Sequence, residues 1–90
     1  MSNSERNGRS ARQKITMLGK PGCHLCDEAL KVIARVADDT GVPYEVKDIT
    51  VASAEDKEEY WEKIPVTFIN GEQHDFWRVS EKRLRAALGK

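Results

Sequence analysis

The chain has 90 residues with 15 basic and 15 acidic side chains, so its formal net charge is zero. Without a field of one sign, the composition gives no support for binding to nucleic acid or to a membrane surface. No apolar run approaches the ~18 residues of a membrane-spanning helix, and the N-terminus lacks the apolar segment of a secretion signal. We therefore expect one small cytoplasmic domain with a single modest core.

The first twelve residues contain almost nothing apolar, and Arg6, Arg9 and Arg12 are interspersed with Ser, Asn and Gly. A segment of this composition cannot bury enough apolar surface to become ordered, so residues 1–12 are predicted to form a disordered leader. Spaced charges of this kind are more typical of a solvated tail than of a segment that binds nucleic acid. The folded domain is predicted to span residues 13–90.

The first half of the domain alternates strand and helix patterns. Residues 14–18 are apolar and β-branched, residues 24–39 carry apolar side chains at helical spacing, and residues 44–49 alternate apolar and polar side chains. A helix of this length between two strands indicates that the strands are parallel neighbours joined by a right-handed crossover.

The second half predicts a short charged helix, a hairpin and a last helix. The short helix is expected from Ser53 to about Trp61, with Tyr60 and Trp61 as its main apolar anchors. Asn70-Gly71 joins a strand over residues 64–69 to a return strand over about 72–78. Ser80 is expected to cap the last helix, with Leu84, Ala87 and Leu88 as its buried stripe. The order β-α-β-α-β-β-α predicts an α/β fold, a four-stranded mixed sheet with three helices on its two faces.

Cys23 and Cys26 are the only cysteines of the chain, and their C-x-x-C spacing falls where the first strand passes into the first helix. Gly19, Pro21 and Gly22 are expected to form the turn between that strand and the helix. Unpaired backbone N–H groups and the helix dipole make the first turn of a helix a favourable place for a thiolate. Lys20 adds a positive charge nearby, as does His24 when protonated. The spacing also brings the two sulfurs close enough to bridge. The motif therefore indicates thiol–disulfide chemistry.

Other uses of the cysteine pair are weaker or remain open. A structural disulfide across one helical turn closes so short a loop that it would stabilise the fold little. Structural zinc requires four ligands, and beyond the cysteines the sequence offers only His24 and His74, of which His74 is expected on the surface of the hairpin. Binding of a metal or an iron–sulfur cluster remains an alternative, as does a redox-sensing module that exchanges partners without turnover.

Two motifs resemble those of a known family. The segment from Lys20 to Cys26, K-P-G-C-H-L-C, is similar to the K-x-x-C-x-x-C turn of glutaredoxin-like proteins in the thioredoxin-fold superfamily. Ile64-Pro65-Val66 resembles the Thr/Val-Val-Pro turn of the same proteins, which opens their next strand. The resemblance covers roughly residues 13 to 89. It implies that Cys23 is the exposed nucleophile and Cys26 the buried resolving thiol.

The same resemblance implies further roles. The bond before Pro65 should be cis, and the backbone of Ile64 should pair with an extended substrate. Lys20, His24 and Trp77 are the other candidate substrate-binding residues. The implied activity is that of a dithiol–disulfide oxidoreductase, an enzyme of electron transport and cell redox homeostasis. It would act as a monomer on disulfide-containing proteins and mixed disulfides. No bound cofactor is implied, and the electron donor would be glutathione or a flavoprotein of the thioredoxin reductase type.

The chain departs from the family pattern at two places. Glutaredoxins carry Gly-Gly followed by Asp after the hairpin, where they hold glutathione, whereas residues 74–80 here read H-D-F-W-R-V-S. We therefore expect weak use of glutathione and better reduction by a thioredoxin reductase. Thioredoxins also place a buried Asp six residues before the nucleophile, and that position is Met17 here. The sequence consequently identifies no dedicated proton acceptor for Cys26.

Overall fold

A computed structural model describes residues 13–89. The predicted leader, residues 1–12, and Lys90 lie outside the described residues. The elements appear in the predicted order, with short 3₁₀ turns at Ile49–Val51 and Trp61–Lys63: β1 (Ile15–Gly19), α1 (His24–Thr40), β2 (Tyr44–Asp48), α2 (Ala54–Tyr60), β3 (Val66–Ile69), β4 (Glu72–Phe76) and α3 (Glu81–Leu88). Over the described range, no helix has the length and apolar character needed to cross a membrane.

The four strands form one mixed sheet in the order β2-β1-β3-β4. Strands β1 and β2 are parallel and are joined by α1, while β3 is antiparallel to both β1 and β4. Asn70 and Gly71 between β3 and β4 have φ values of 55° and 86°, as a tight hairpin turn requires. The predicted parallel pair, the hairpin and the four-stranded mixed sheet with three helices are therefore confirmed.

The core lies on both faces of this sheet because successive side chains of a strand point to opposite faces. One face, toward α1 and α3, buries Ile15, Met17, Cys26, Ala29, Ile33, Val36, Val42, Leu84 and Leu88. The other face buries Leu18, Ile49, Ile64 and Val66, with Tyr60 and Phe68 packed against them. Cys26 is therefore a core residue, and the packing around it fixes the position of the second cysteine of the motif.

Local signals define both ends of α1, the helix that carries the cysteine motif. Cys23 is its N-cap residue, with extended backbone dihedrals, and the first helical residue is His24. At the other end Gly41 has φ 78° and donates its N–H to the carbonyl of Ala37. This left-handed ending is the one for which glycine is favoured. The predicted helix over residues 24–39 is confirmed and is one residue longer.

Every strand has at least one end that differs from the prediction: β1 starts at Ile15 rather than at residue 14, and β2 ends at Asp48 rather than at residue 49. Gly19, predicted as part of the turn before the cysteines, is the last residue of β1 and pairs with Asp48. The return strand stops at Phe76 because Trp77 takes φ 63°, in the left-handed region that a strand cannot contain. Strand β3 starts at Val66 rather than at residue 64, since the preceding proline has no N–H to donate to the sheet.

Two predicted core positions were also wrong. Trp61 was expected to anchor α2, but it lies in the turn beyond the end of that helix and is 43% exposed. Tyr60 alone performs the anchoring, packing edge-on against Phe68 with ring centroids 5.4 Å apart. Ala87 was expected in the buried stripe of α3 and is exposed, because the helix buries only Leu84 and Leu88.

Candidate active site

Cys23 occupies the junction between the turn and α1. Its Sγ accepts a hydrogen bond from the backbone N–H of Cys26 at 3.2 Å, and its carbonyl accepts the N–H of Asp27 at 3.1 Å. The sulfur thus takes the place that a Ser, Thr or Asp side-chain oxygen normally has at a helix N-terminus. A half-exposed thiol with a backbone donor directed at it, at the positive end of a helix, has the surroundings of a reactive cysteine.

Cys26 has the opposite environment, one turn further into the helix. It is 4% exposed and packs in the core with Met17, which is 3% exposed. Burial raises the pKa of the Cys26 thiol to about 11, and the neighbouring Cys23 acts in the same direction. Met17, which stands where thioredoxins have a buried Asp, is apolar and cannot accept the proton of the Cys26 thiol. Both cysteines are free thiols.

The loop before β3 is fixed by a residue that follows β4. The Ile64–Pro65 bond is cis, as the resemblance implied. The carbonyls of Lys63 and Pro65 both accept the backbone N–H of Trp77, at 3.2 Å and 2.8 Å. The indole Nε1 of Trp77 donates to the carbonyl of Glu62 at 2.9 Å. Three hydrogen bonds from one residue therefore hold this loop against the end of the hairpin.

The turn that precedes the cysteines is joined to the same loop. The Nζ of Lys20 lies 5.0 Å from the ring centroid of Trp61, within the range of a cation–π interaction. Trp61 belongs to an exposed set that we name the aromatic rim, namely Trp61, Phe76 and Trp77, which are 43%, 40% and 52% exposed. The rings of Phe76 and Trp77 pack edge to face at 4.9 Å. Contacts thus run from Lys20 through Trp61 and the loop to Trp77.

The predicted site residues are only partly brought together. Lys20, Ile64, Pro65 and Trp77 belong to the connected region just described. His24 is exposed at the first position of α1, and no hydrogen bond or ion pair of its side chain is found within residues 13–89, so its role stays a prediction.

The two histidines do not complete a metal site in the described part of the chain. Residues 13–89 contain no group of three or more His, Cys, Asp or Glu side chains that could hold a metal ion. His74 was predicted to lie on the hairpin surface. It is instead half-buried on β4, with an Nε2 atom that is shielded from solvent and has no hydrogen-bond partner.

Gly19 is the residue near the site that the sequence interpretation missed. The alternation along β1 places Ile15, Met17 and Gly19 on the sheet face toward α1, the helix that carries Cys26. An ideal Cβ built on Gly19 would lie 2.9 Å from the Sγ of Cys26. This alternation was the available signal, but a glycine next to Lys-Pro-Gly was interpreted as part of the turn.

Comparison with known proteins assigns the chain to a family. The family described as Glutaredoxin-like domain (DUF836) matches residues 14–89. The chain belongs to this family. The glutaredoxin-like domain thus includes all four strands, all three helices and both cysteines. Uncharacterized proteins of Mycobacterium tuberculosis and Mycobacterium bovis are each 26% identical over 84 residues, which cover 89% of this chain and 87% of the relative.

Solved structures confirm the thioredoxin-like fold of the glutaredoxin-like domain. A Xanthomonas protein (X. campestris target XcR50) is 28% identical, with a TM-score of 0.65 over 83% of this chain and 95% of the other. Protein Ne2328 of Nitrosomonas europaea gives a TM-score of 0.74 at 20% identity, covering 84% and 91%. Fasciola hepatica thioredoxin gives 0.62 at 16% identity, covering 97% and 88%. The last two similarities are evidence for the fold alone.

Proposed function

We propose that this glutaredoxin-like domain is a dithiol–disulfide oxidoreductase that reduces protein disulfides or mixed disulfides through Cys23 and Cys26. The observation that carries the proposal is the contrast between the two thiols. Cys23 caps α1, is half-exposed and accepts a backbone N–H, whereas Cys26 is buried in the core and its pKa is raised. An accessible nucleophile and a shielded thiol three residues later are the two parts that disulfide exchange requires.

The reaction has two exchange steps. The Cys23 thiolate attacks one sulfur of the substrate disulfide, so a Cys23–substrate bond forms while the other substrate sulfur leaves as a thiolate and is protonated by solvent. Cys26 then loses its proton to solvent and attacks the Cys23 sulfur. The remaining substrate sulfur leaves, and a Cys23–Cys26 disulfide is formed. The substrate gains two electrons and the dithiol loses them.

The backbone of Ile64 supports an extended polypeptide as the substrate. The carbonyls on either side of it, those of Lys63 and Pro65, are used by Trp77, whereas no backbone partner for Ile64 is found within residues 13–89. The Ile64 side chain is 9% exposed and holds this loop in the core. A fixed loop with free backbone groups is suited to pair with a substrate segment by strand addition. The neighbouring aromatic rim would add apolar contact area.

The end of β4 supports a flavoprotein of the thioredoxin reductase type as the electron donor, in preference to glutathione. Where glutaredoxins carry glycines, this chain has Phe76 and Trp77, and side chains there prevent the close backbone approach that glycine allows. Lys20, a candidate for holding a glutathione carboxylate, is directed over the Trp61 ring. We propose that the protein acts in the cytoplasm as a monomer and needs no bound cofactor.

The proposal is tested by turnover with defined electron donors. The oxidised protein is mixed with insulin and supplied either with NADPH and thioredoxin reductase or with glutathione, NADPH and glutathione reductase. We expect insulin reduction with the first donor and slow reduction with the second. Saturable, fast turnover with millimolar glutathione would overturn the choice of donor. Absence of turnover with both donors, together with iron and colour in protein purified without air, would favour the cluster-binding alternative.

A further inference from the structure

Gly19 differs from the other glycines that the structure describes. Gly22, Gly41, Gly71 and Gly89 all have positive φ and open space where a Cβ would be, so their backbone conformation explains them. Gly19 is paired in β1, outside the left-handed region, where any residue could adopt its backbone conformation. What it lacks is room, because a Cβ would lie 2.9 Å from the Cys26 Sγ and 3.4 Å from the Cys26 Cβ.

The clash falls on an atom that has little freedom. The Cys26 side chain is short and emerges from the first turn of α1, and the Met17 Cε would lie 3.3 Å from the same added atom. A cavity of about 220 Å³ adjoins this point, with Met17, Gly19, Cys26, Leu30 and Val46 among its lining residues. An added Cβ would therefore push the sulfur aside toward this space by about half an ångström, the difference between 2.9 Å and the 3.4 Å at which ordinary contacts begin.

We propose that Gly19 is a positioning residue for the second exchange step, because its missing side chain defines where the Cys26 sulfur lies. The inference rests on the proposed function of Cys26 as the resolving thiol. Attack requires the Cys26 Sγ to approach the Cys23–substrate bond in line, and small displacements of a reacting atom can slow a reaction by one or two orders of magnitude. The first step, attack by Cys23, does not involve this position.

A chromogenic aromatic disulfide, DTNB, separates the two steps without any physiological substrate. Attack by reduced Cys23 forms a Cys23–aryl disulfide and releases one coloured thiolate. Attack by Cys26 then forms the Cys23–Cys26 disulfide and releases the second. In stopped-flow experiments on the full chain, Gly19→Ala should slow the second phase about tenfold and leave the first phase within about twofold.

Two control variants show whether the effect passes through the Cys26 sulfur. In a Cys26→Ala background only the first phase exists, and adding Gly19→Ala should not change its rate. Gly41→Ala places a side chain in open space at the far end of α1 and controls for general strain, so both phases should keep their rates. An unchanged second phase in Gly19→Ala, or a first phase slowed equally in both backgrounds, would overturn the proposal.

Thermal unfolding of the native chain, Gly19→Ala, Cys26→Ala and the double variant provides a second measurement if Gly19→Ala folds poorly. Removing the Cys26 sulfur removes the clash, so Gly19→Ala should lower the melting temperature less in the Cys26→Ala background than in the native chain. Equal losses in the two backgrounds would contradict a direct contact. Because DTNB is not a protein disulfide, a failure to reduce insulin would count against the proposed function alone. Unaltered phases with intact insulin turnover would count against the role of Gly19 alone.

Discussion

The cysteine turn and the loop before β3 are built in different ways, although both contribute to the candidate site. Cys23 and Cys26 owe their environments to one helix end, through a hydrogen bond between residues three apart and the burial of the second residue. The loop depends on partners distant in sequence, since Trp77 binds the carbonyls of Glu62, Lys63 and Pro65. Changes in the turn should therefore alter the chemistry, whereas changes around the loop should alter the choice of substrate and donor.

The largest effect is expected from Cys23→Ser. Serine is a favoured N-cap residue, so α1 should still begin at the same place and the fold should remain intact. Disulfide reduction should nevertheless fall to background, because the nucleophile is lost. Insulin turnover measures the loss of activity, and a circular dichroism spectrum of the same sample shows whether the fold is intact. A Cys23→Ser variant that is folded and active would show that the chemistry does not depend on the turn.

The second prediction concerns pH. Because burial raises the pKa of Cys26 to about 11, its thiolate fraction rises with pH throughout the neutral and alkaline range. The second DTNB phase should accelerate as pH rises through the neutral and mildly alkaline range, since the thiolate is the attacking species and burial, the largest cause of the raised pKa, persists in the Cys23–aryl intermediate. A second phase that levels off near neutral pH would mean that a proton acceptor for Cys26 had been overlooked.

The same raised pKa has a consequence for stability. The folded state holds the Cys26 proton more tightly than the unfolded chain does, so this contribution is fully present below about pH 9 and is lost as pH rises toward about 11. Equilibrium unfolding in denaturant at several pH values measures it. In Cys26→Ala the alkaline loss should be smaller, and equal losses in the two proteins would contradict the assignment.

Opening the end of β4 should change the donor preference by a smaller factor. Trp77→Gly removes the indole while glycine readily takes the φ of 63° found there, so the backbone hydrogen bonds to the loop can be kept. Glutathione-linked reduction should increase severalfold. Trp77→Phe retains an aromatic ring and should gain little. If glycine and phenylalanine have the same effect, steric closure at this position is not the reason for slow glutathione turnover.

The smallest expected effect is on stability and comes from the contact between Lys20 and Trp61. An exposed cation–π pair contributes about 0.5–1 kcal/mol, so Lys20→Met should lower the melting temperature by a few degrees. The same substitution in a Trp61→Leu background should cost less. Additive losses in this double-mutant cycle would show that the ammonium and the ring do not interact in solution.

Most of the fold could be predicted because its signals are local. The helical spacing of residues 24–39, the Asn70-Gly71 turn and the Ser53 and Ser80 caps each specify an element without reference to the rest of the chain. The end of β4 could not be predicted in this way. Trp77 has no residue-level preference for φ 63°, and it adopts that value where hydrogen bonds to a distant loop hold it.

The same distinction applies to the candidate site. The unlike exposure of Cys23 and Cys26 is what the family resemblance implied, with the first thiol accessible and the second buried. Two contacts did not follow, the close approach of Gly19 to the Cys26 sulfur and that of the Lys20 ammonium to the Trp61 ring, since each depends on what another element places opposite. Tertiary neighbours of this kind leave no periodic pattern in the sequence.

The central claim, that Cys23 attacks and Cys26 resolves, is tested most directly by trapping the intermediate. Cys26→Ser and Cys23→Ser proteins are incubated in parallel with a disulfide-bonded peptide and analysed by intact and peptide mass spectrometry. The account predicts a stable mixed disulfide on Cys23 in the Cys26→Ser protein and little adduct in the Cys23→Ser protein. Adduct formation mainly on Cys26, with Cys23 unmodified in the Cys26→Ser protein, would contradict it.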